Sequence, residues 1–435
     1  MGVTQRTQTI STQLQAIANK AQMEPELTFT SLAHLMDVDF LREAFRRIRK
    51  SGAPGTDGVK ADTYASNLAA NLEDLHERLR TNSYEAATIK RVWIPKPDGK
   101  QRPIGIVTLE DKIVQKAVTM IMESIYEQDF YNFSMGFRVG RSQHQALQYF
   151  REMCLKNNIN WLIDADVSSF FDNLSHKVLR EFIQRRINDS GLLRLIGKWL
   201  NAGVVEKETI IYPEAGSPQG GVISPMLSNI YMHYVLDDWF VKVVQPRLKG
   251  KSFIVRFADD FAIGCEREDD VRRVMEVLPK RFNRFELTIH PTKTSLINFR
   301  KPGRGINREE TGSFDFLGFT HYWAKSRRGY WIIKRKTAKK SLNKSMKAIW
   351  EWCRKNRHEP LKEQYRKLRQ KLRGHIQYFG IIGNYEALKS MVHETKRAWQ
   401  YWLSQRSHKS KIPWKIFKKL MDKMPLPKAR IMHQI

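Results

Sequence analysis

The sequence predicts an α+β fold on three observations. As far as Ile333, short apolar runs with period-two alternation interrupt amphipathic helical stripes, while from Lys334 onward only helical stripes recur. One of the short runs, Phe253–Gly264, is also split by two adjacent acids, Asp259 and Asp260. Phe253, Val255 and Phe257 alternate with Ile254 and Arg256, and Phe261-Ala262-Ile263 resumes the pattern, so the acids are expected at or beside a hairpin turn. Neighbouring carboxylates repel one another and need a proton, a basic partner or a hard cation; a solvated Asp-Asp turn is the plainer alternative.

Composition narrows the class of protein. Of 435 residues, 41% are hydrophobic and 11% aromatic, enough for two or three packed domains. Lys and Arg number 75 against 45 Asp and Glu, a net charge of +30 that points to a polyanion, nucleic acid first. No apolar run approaches bilayer length, and the Thr-, Gln- and Ser-rich stretch Met1 to Gln22 lacks a signal-peptide core. A cytoplasmic protein without a membrane partner is therefore expected. Cys154, Cys265 and Cys353 are isolated, which suggests buried apolar residues rather than disulfides or a zinc site.

After a polar leader over residues 1–31, Leu32, Leu35, Phe40, Ala44, Phe45 and Ile48 predict a helix, which Ser51–Gly58 breaks. That Gly-rich stretch lacks the Lys-Ser/Thr ending of a P-loop, so a structural turn is preferred to a phosphate cradle. Leu68, Leu72, Leu75 and Leu79 mark a second helix. Lys90–Gly105 reads as two short strands around a Pro-Asp-Gly turn, flanked by Lys90, Arg91, Lys96, Lys100 and Arg102. These cations are either a solvated face or a clamp for a triphosphate. Leu109–Tyr126 is a helix with one apolar face, and Ser142 is placed to cap a helix beginning near Gln145.

Trp161–Val167 reads as a strand with Asp164 and Asp166 on one face, and periodicity does not choose between them. An acid on such a strand needs a partner or a metal. Asp172 or Ser175 is expected to cap the next helix. Ser224 is expected as the N-cap and Pro225 as the first residue of a later one. The glycines of Gly216–Gly221 allow close backbone approach, with Gln219 at the tip. Val271–Phe285 follows as a helix, His290–Thr294 as a turn and Phe314–Phe319 as a short strand. Three amphipathic helices then form a bundle whose polar faces carry Lys339, Lys340, Lys344, Lys347, Arg366 and Lys367, well placed for phosphate contact. A basic tail covers residues 404–435.

The separated features at Asp166, Pro218–Gly221 and Ala258–Asp260 have one common explanation in nucleotidyl transfer with two metal ions, where carboxylates from neighbouring strands share two Mg²⁺. From about Leu32 to about Leu403 the chain resembles the reverse transcriptases encoded by bacterial group II introns. The resemblance rests on Gly52–Gly58, Ile94-Pro-Lys-Pro-Asp-Gly99, Gly136-Phe-Arg-Val-Gly-Arg141, Phe170-Phe-Asp-Asn-Leu-Ser-His176, Ser217-Pro-Gln-Gly-Gly221, Phe257-Ala-Asp-Asp260 and Phe316-Leu-Gly-Phe319, in family order.

That resemblance implies a right-hand polymerase, with N-terminal extension and fingers over 32–155, palm over 156–330 and a helical thumb, the maturase domain X, over 331–403. It selects Asp166 as the metal-binding acid of its motif, with Asp259 and Asp260 completing the catalytic set. Strand alternation makes Asp259 the better partner of Asp166 and Asp260 an outer ligand. Phe171 is implied as a gate against the ribose 2′-hydroxyl and Gln219 as a cover over the nucleotide. Lys96 with Lys90 or Arg102 would hold the triphosphate, and Lys293 would act as a general acid. The implied partners are intron RNA, a DNA primer or target and dNTPs, with Mg²⁺ replaceable by Mn²⁺, in a bacterial cytoplasm at the nucleoid; a homodimer is compatible with this. Two departures stand out. Phe257 replaces the usual Tyr, and the cysteine pairs of the family's endonuclease domain are lacking, so second-strand cleavage is not expected. A splicing cofactor with an idle polymerase site, or a reverse transcriptase domesticated for defence or repair, are the alternatives.

Overall fold

A computed structural model describes residues 2–95, 101–206, 209–212, 215–216, 220–303, 310–407 and 411–435, with residues 2–8 described by backbone alone. The expectations for Lys96 and Gln219 lie outside the described residues. Helices and sheets are both abundant, as an α+β chain requires. Two compact units emerge, one of Met1–Ser142, Ile163–Ile263 and Asp269–Ser295, the other of Gln143–Leu162, Gly264–Glu268 and Leu296–Ile435. This division cuts the chain at other places than the sequence segments do, since Gln143–Leu162 joins the C-terminal unit.

The hub of the first unit is the helix Leu109–Asp129. The Thr108 side chain caps it by accepting from Asp111 N, and Ile113, Val114, Ala117, Val118, Ile121 and Ile125 are buried along it. The helices Gly2–Met23, Val38–Arg47 and Ser224–Met232 pack on this hub. The first of them replaces the expected polar leader. Ile10, Leu14, Ile17, Ala18 and Ala21 recur at helical spacing on its inward side, a stripe diluted by surrounding Thr and Gln. Its C-terminal end is held by buried Arg186, which donates to the carbonyls of Ala21, Glu24, Pro25 and Leu27 and pairs with Asp129 at 2.9 Å. Gly55 lets its turn pack closely, because a Cβ there would fall 2.6 Å from Thr108 Cα.

Two sheets of this unit matter for the site. Ile89–Pro95 pairs antiparallel with Gln101–Ile106, setting Lys90 opposite Ile106 and Ile94 opposite Arg102. Ser252–Phe257 and Asp260–Cys265 form a hairpin, and the second of these strands neighbours Trp161–Ala165. Of the two expected caps, Ser175 occupies the N-cap of His176–Gln184, but its hydroxyl donates to Glu286 Oε1 at 3.1 Å rather than capping the helix. Ile223 precedes Ser224–Met232, so Ser224 is already the first helical residue.

In the second unit, Phe314–Phe319 is not one strand. The chain reverses at Leu317 (φ 49°) and Gly318 (φ 79°), a two-residue turn with both central residues left-handed, so Phe314–Phe316 pairs back onto Phe319–Lys325. Phe319–Lys325 also pairs with Trp331–Thr337. The helices Lys339–Lys355, Leu361–Phe379 and Tyr385–Ser404 bury Ile349, Leu368, Leu372, Met391 and Trp399 together. Phe417, from the helix Trp414–Lys423, and Leu426 join that core, so the basic tail is part of the bundle. Lys339, Lys340, Lys344, Lys347, Arg366 and Lys367 are all exposed, and Arg366 pairs with Glu363 at 2.7 Å.

One buried acid ties the N-terminal segment to the first unit. Asp189 accepts from Leu192 N at the start of Ser190–Leu200 and from Leu32 N and Ala33 N, which are far away in sequence. Burial alone would push this carboxyl up, but the backbone N–H donors outweigh it and hold it below its ordinary 3.8. Asp189→Ala is expected to cost about 1–3 kcal/mol in urea unfolding at neutral pH. Because the folded carboxyl is the stronger acid, this contribution is complete above its ordinary 3.8 and fades as pH falls through that range, so variant and wild type should converge in acid.

Candidate active site

Asp166 occupies the single position between Trp161–Ala165 and Val167–Ser168. Here the chain leaves one sheet and enters another, with Val167 opposite Ile289 and Ser168 opposite Thr288. His290 N donates to Asp166 O at 2.8 Å, which extends this pairing to Asp166 itself. The following turn then brings Lys293 Nζ to 2.6 Å from Asp166 Oδ2.

Asp259 and Asp260 follow Ala258, whose φ of 61° is uncommon for a residue with a Cβ. The turn is held from beneath. Arg256, fully buried, donates to Asp237 at 2.6 and 2.8 Å, to Asn229 Oδ1 at 3.0 Å and to Ala258 O at 2.9 Å. Asp237, equally buried, ends a π-helical stretch, His233–Asp237, a wider winding often found at functional sites. Gly136 closes over the other side of the turn, where a Cβ would fall 2.2 Å from Ala258 N, and its carbonyl accepts from Asn229 Nδ2 at 2.8 Å.

The acids sense one another across these segments. Desolvation and then Asp166 raise the Asp259 carboxyl above its ordinary value, against the opposing pull of Arg102 and Arg256. Asp260, though its outer surface meets solvent, is pushed up to about 6 by desolvation, then by Asp259 and Asp166, with Lys293 opposing. A patch of carboxylates that resists full ionisation is a site where added positive charge is stabilised. Among the described residues, no group of three or more His, Cys, Asp or Glu is placed to hold a metal ion jointly. The donor chemistry nevertheless suits Mg²⁺, a hard ion that takes one or two carboxylates and completes its shell with water and substrate phosphate.

The other candidate residues fall around this centre. Phe171 follows Ser169 (φ 44°) in a turn closed by Asp172 N donating to Ser169 O at 2.9 Å. It is half-buried and meets the buried Phe170 edge-on, with ring centroids 5.4 Å apart. Gly216 lies against the same turn, since a Cβ there would be 2.9 Å from both the Phe171 and Asp172 carbonyl oxygens. Gly220 approaches Gly105 as closely, with a hypothetical Cβ 2.4 Å from its carbonyl oxygen. Lys90 and Arg102 are exposed on the same face of their hairpin, because Arg102 faces Ile94, which shares a side with Lys90. Ile94 and Lys90 stand four residues apart, about 13 Å along the strand. The charge of Arg102 reaches Asp259. Arg91 turns to the opposite face and pairs with Glu206 at 3.1 Å.

Sequence reasoning missed Arg256, Asp237 and Asn229 as parts of the site. The available signal was a lone cation inside an apolar strand, which demands a buried partner.

The chain belongs to the reverse transcriptase (RNA-dependent DNA polymerase) family, whose model matches residues 94–321. It is 34% identical over 309 residues to protein YkfC of Escherichia coli strain K12, covering 68% of this chain and 80% of that one. Over 241 residues it is 33% identical to the group II intron-encoded protein LtrA of Lactococcus lactis subsp. cremoris, covering 55% of this chain and 40% of the relative. A third relative, nuclear intron maturase 3 of Arabidopsis thaliana, is 25% identical over 224 residues, covering 44% of this chain and 30% of the relative. The chain thus spans most of the first relative and less than half of the two intron proteins. No helix among the described residues is long and apolar enough to cross a membrane.

The Arg256–Asp237 pair gives a direct test of the turn's support. Arg256→Met leaves Asp237 buried without its cation and is expected to cost about 3–5 kcal/mol in urea unfolding. The double change Arg256→Met with Asp237→Leu should recover much of that loss.

Proposed function

We propose that this protein is an RNA-directed DNA polymerase that also serves as a maturase, binding group II intron RNA, assisting its splicing and copying it. The observation that carries the polymerase reading is the convergence of Asp166 with Asp259 and Asp260, from distant parts of the sequence, within electrostatic reach of each other, of Lys293 and of Arg102. Family membership supplies the reaction class. The names of LtrA and of the Arabidopsis maturase support the intron-RNA role.

In the proposed reaction, a primer 3′-oxygen bonds to the α-phosphorus of a dNTP while the bond from that phosphorus to the bridging oxygen of pyrophosphate breaks. Asp166 and Asp259 would hold Mg²⁺, with Asp260 as an outer ligand. The bound ions would lower the pKa of the 3′-hydroxyl and neutralise the departing pyrophosphate. Arg102 is the favoured cation for the triphosphate, with Lys90 farther down the same face. Lys293 is assigned the proton that the leaving pyrophosphate takes up. Phe171, its ring edge-on to Phe170 and its carbonyl against Gly216, would exclude a 2′-hydroxyl. Lys96 and Gln219 keep their roles over the triphosphate and the nucleotide as proposals from sequence. The assembly would be a right-hand polymerase, with fingers over 32–155, palm over 156–330 and thumb over 331–403, and a tail that shares the thumb's core.

The purified full chain should extend a DNA primer on an RNA template with Mg²⁺, lose synthesis with EDTA and regain it on adding Mg²⁺. Asp259→Ala should lower incorporation about a thousandfold or more while circular dichroism stays unchanged. Synthesis persisting in that variant would refute the assignment, and assisted splicing without any incorporation would favour the cofactor reading. Replacing Lys339, Lys340, Lys344 and Lys347 by Gln should weaken intron-RNA binding across sequences. The slope of log affinity against log salt should then flatten by about one unit per phosphate contact removed.

A further inference from the structure

The loop Gly136–Arg141 carries an exposed aromatic ring that has no ring partner among the described residues. Phe137 is 57% exposed and Val139 73%, while Arg138 between them is buried. The backbone of Phe137 is left-handed at φ 59°, a conformation that bulky side chains rarely adopt. Left without support, the loop would relax out of that conformation.

Anchors on both sides prevent this. Arg138 donates to Tyr131 O and Ser134 O at 2.7 Å each and to Glu127 Oε2 at 3.0 Å. Arg141 donates to Asn132 Oδ1 at 2.7 Å. Gly136 is pinned between Asn229 and the backbone of Ala258, the residue immediately before Asp259. The protein therefore holds a strained phenylalanine outward, one residue from a backbone contact with the candidate catalytic turn. Strain fixed by so many independent bonds, on a side chain left more than half exposed, marks a contact made with something else.

We propose that Phe137 is a stacking platform for the end of the template–primer duplex. The inference rests on the polymerase reading for the identity of its ligand. An aromatic face accepts any base or sugar edge without regard to sequence, as a polymerase moving along its template requires. The +30 net charge favours a nucleic acid over an apolar protein surface at this point. Neighbouring Val139 widens the apolar contact, and buried Arg138 acts by positioning the loop.

The test uses the full chain and an RNA–DNA template–primer carrying 2-aminopurine at the primer terminus, without dNTP. Wild type should quench the fluorophore. Phe137→Ala should raise Kd roughly 5- to 100-fold and abolish the quench, whereas Phe137→Trp should keep both near wild type. Phe137→Gly should lose binding like the alanine variant while its Tm equals or exceeds that of wild type, because glycine accepts the left-handed backbone. That result separates ligand contact from a structural role. Single-stranded RNA and single-stranded DNA run in parallel should show smaller losses than the hybrid; an equal or larger loss on either strand alone overturns the assignment to the duplex. Wild-type binding by Phe137→Ala overturns the proposal outright, even if synthesis is observed. If wild type makes no cDNA but the Phe137-dependent quench remains, the polymerase reading fails and the platform stands.

Discussion

The ion pair between Arg256 and Asp237 is the constraint on which the candidate site depends. Both side chains are fully buried, and the guanidinium spends its remaining donors on Asn229 and on the carbonyl of Ala258. One cation thus ties a hairpin strand, a helix and the left-handed residue that starts the acidic turn. A buried pair of this kind contributes little net stability but makes the wrong arrangement expensive, since either partner alone would be an unpaired charge in the core. Its effect is to fix where Asp259 and Asp260 emerge. The π-helical winding of His233–Asp237 belongs to the same arrangement, because it sets the register at which Asp237 meets Arg256.

Around that clamp the carboxylates are concentrated against their own repulsion. Asp166 is delivered by a change of sheet, and its charge is offset by Lys293 from the turn that the Val167–Ser168 pairing brings alongside. Burial first, and then this crowding, holds the Asp259 and Asp260 carboxyls above their ordinary values. A site built this way favours added positive charge. The glycines at 136, 216 and 220 serve the same end, each allowing one loop backbone to lie against another where a Cβ would not fit.

The C-terminal unit follows a different logic. Its stability comes from apolar stripes on four helices, with the last contributed by a segment that composition marked only as basic. Tryptophan and leucine side chains bind the bundle together while the lysines stay outside, so one face is free for a polyanion without cost to the core.

Much was legible in the sequence because it depends on local periodicity or on an ordered series of motifs. The hairpin at Phe253–Gly264, the Leu109 helix, the three amphipathic stripes and the family resemblance all follow from residues close together in the chain. Misreadings arose where local signals compete. Leu317–Gly318 looked like strand until two left-handed residues reversed it, Ser175 looked like a cap but gives its hydroxyl to Glu286, and the Thr- and Gln-rich N-terminus hid a helical stripe. The sequence by itself determined the charges and most of the element types. Only the tertiary structure decided that Arg256 answers Asp237, that Arg102 is felt at Asp259, and that the 136–141 loop closes on the acidic turn. The physical reason is that burial, Coulomb interaction and backbone contact depend on distance in space, which the linear order of residues does not carry.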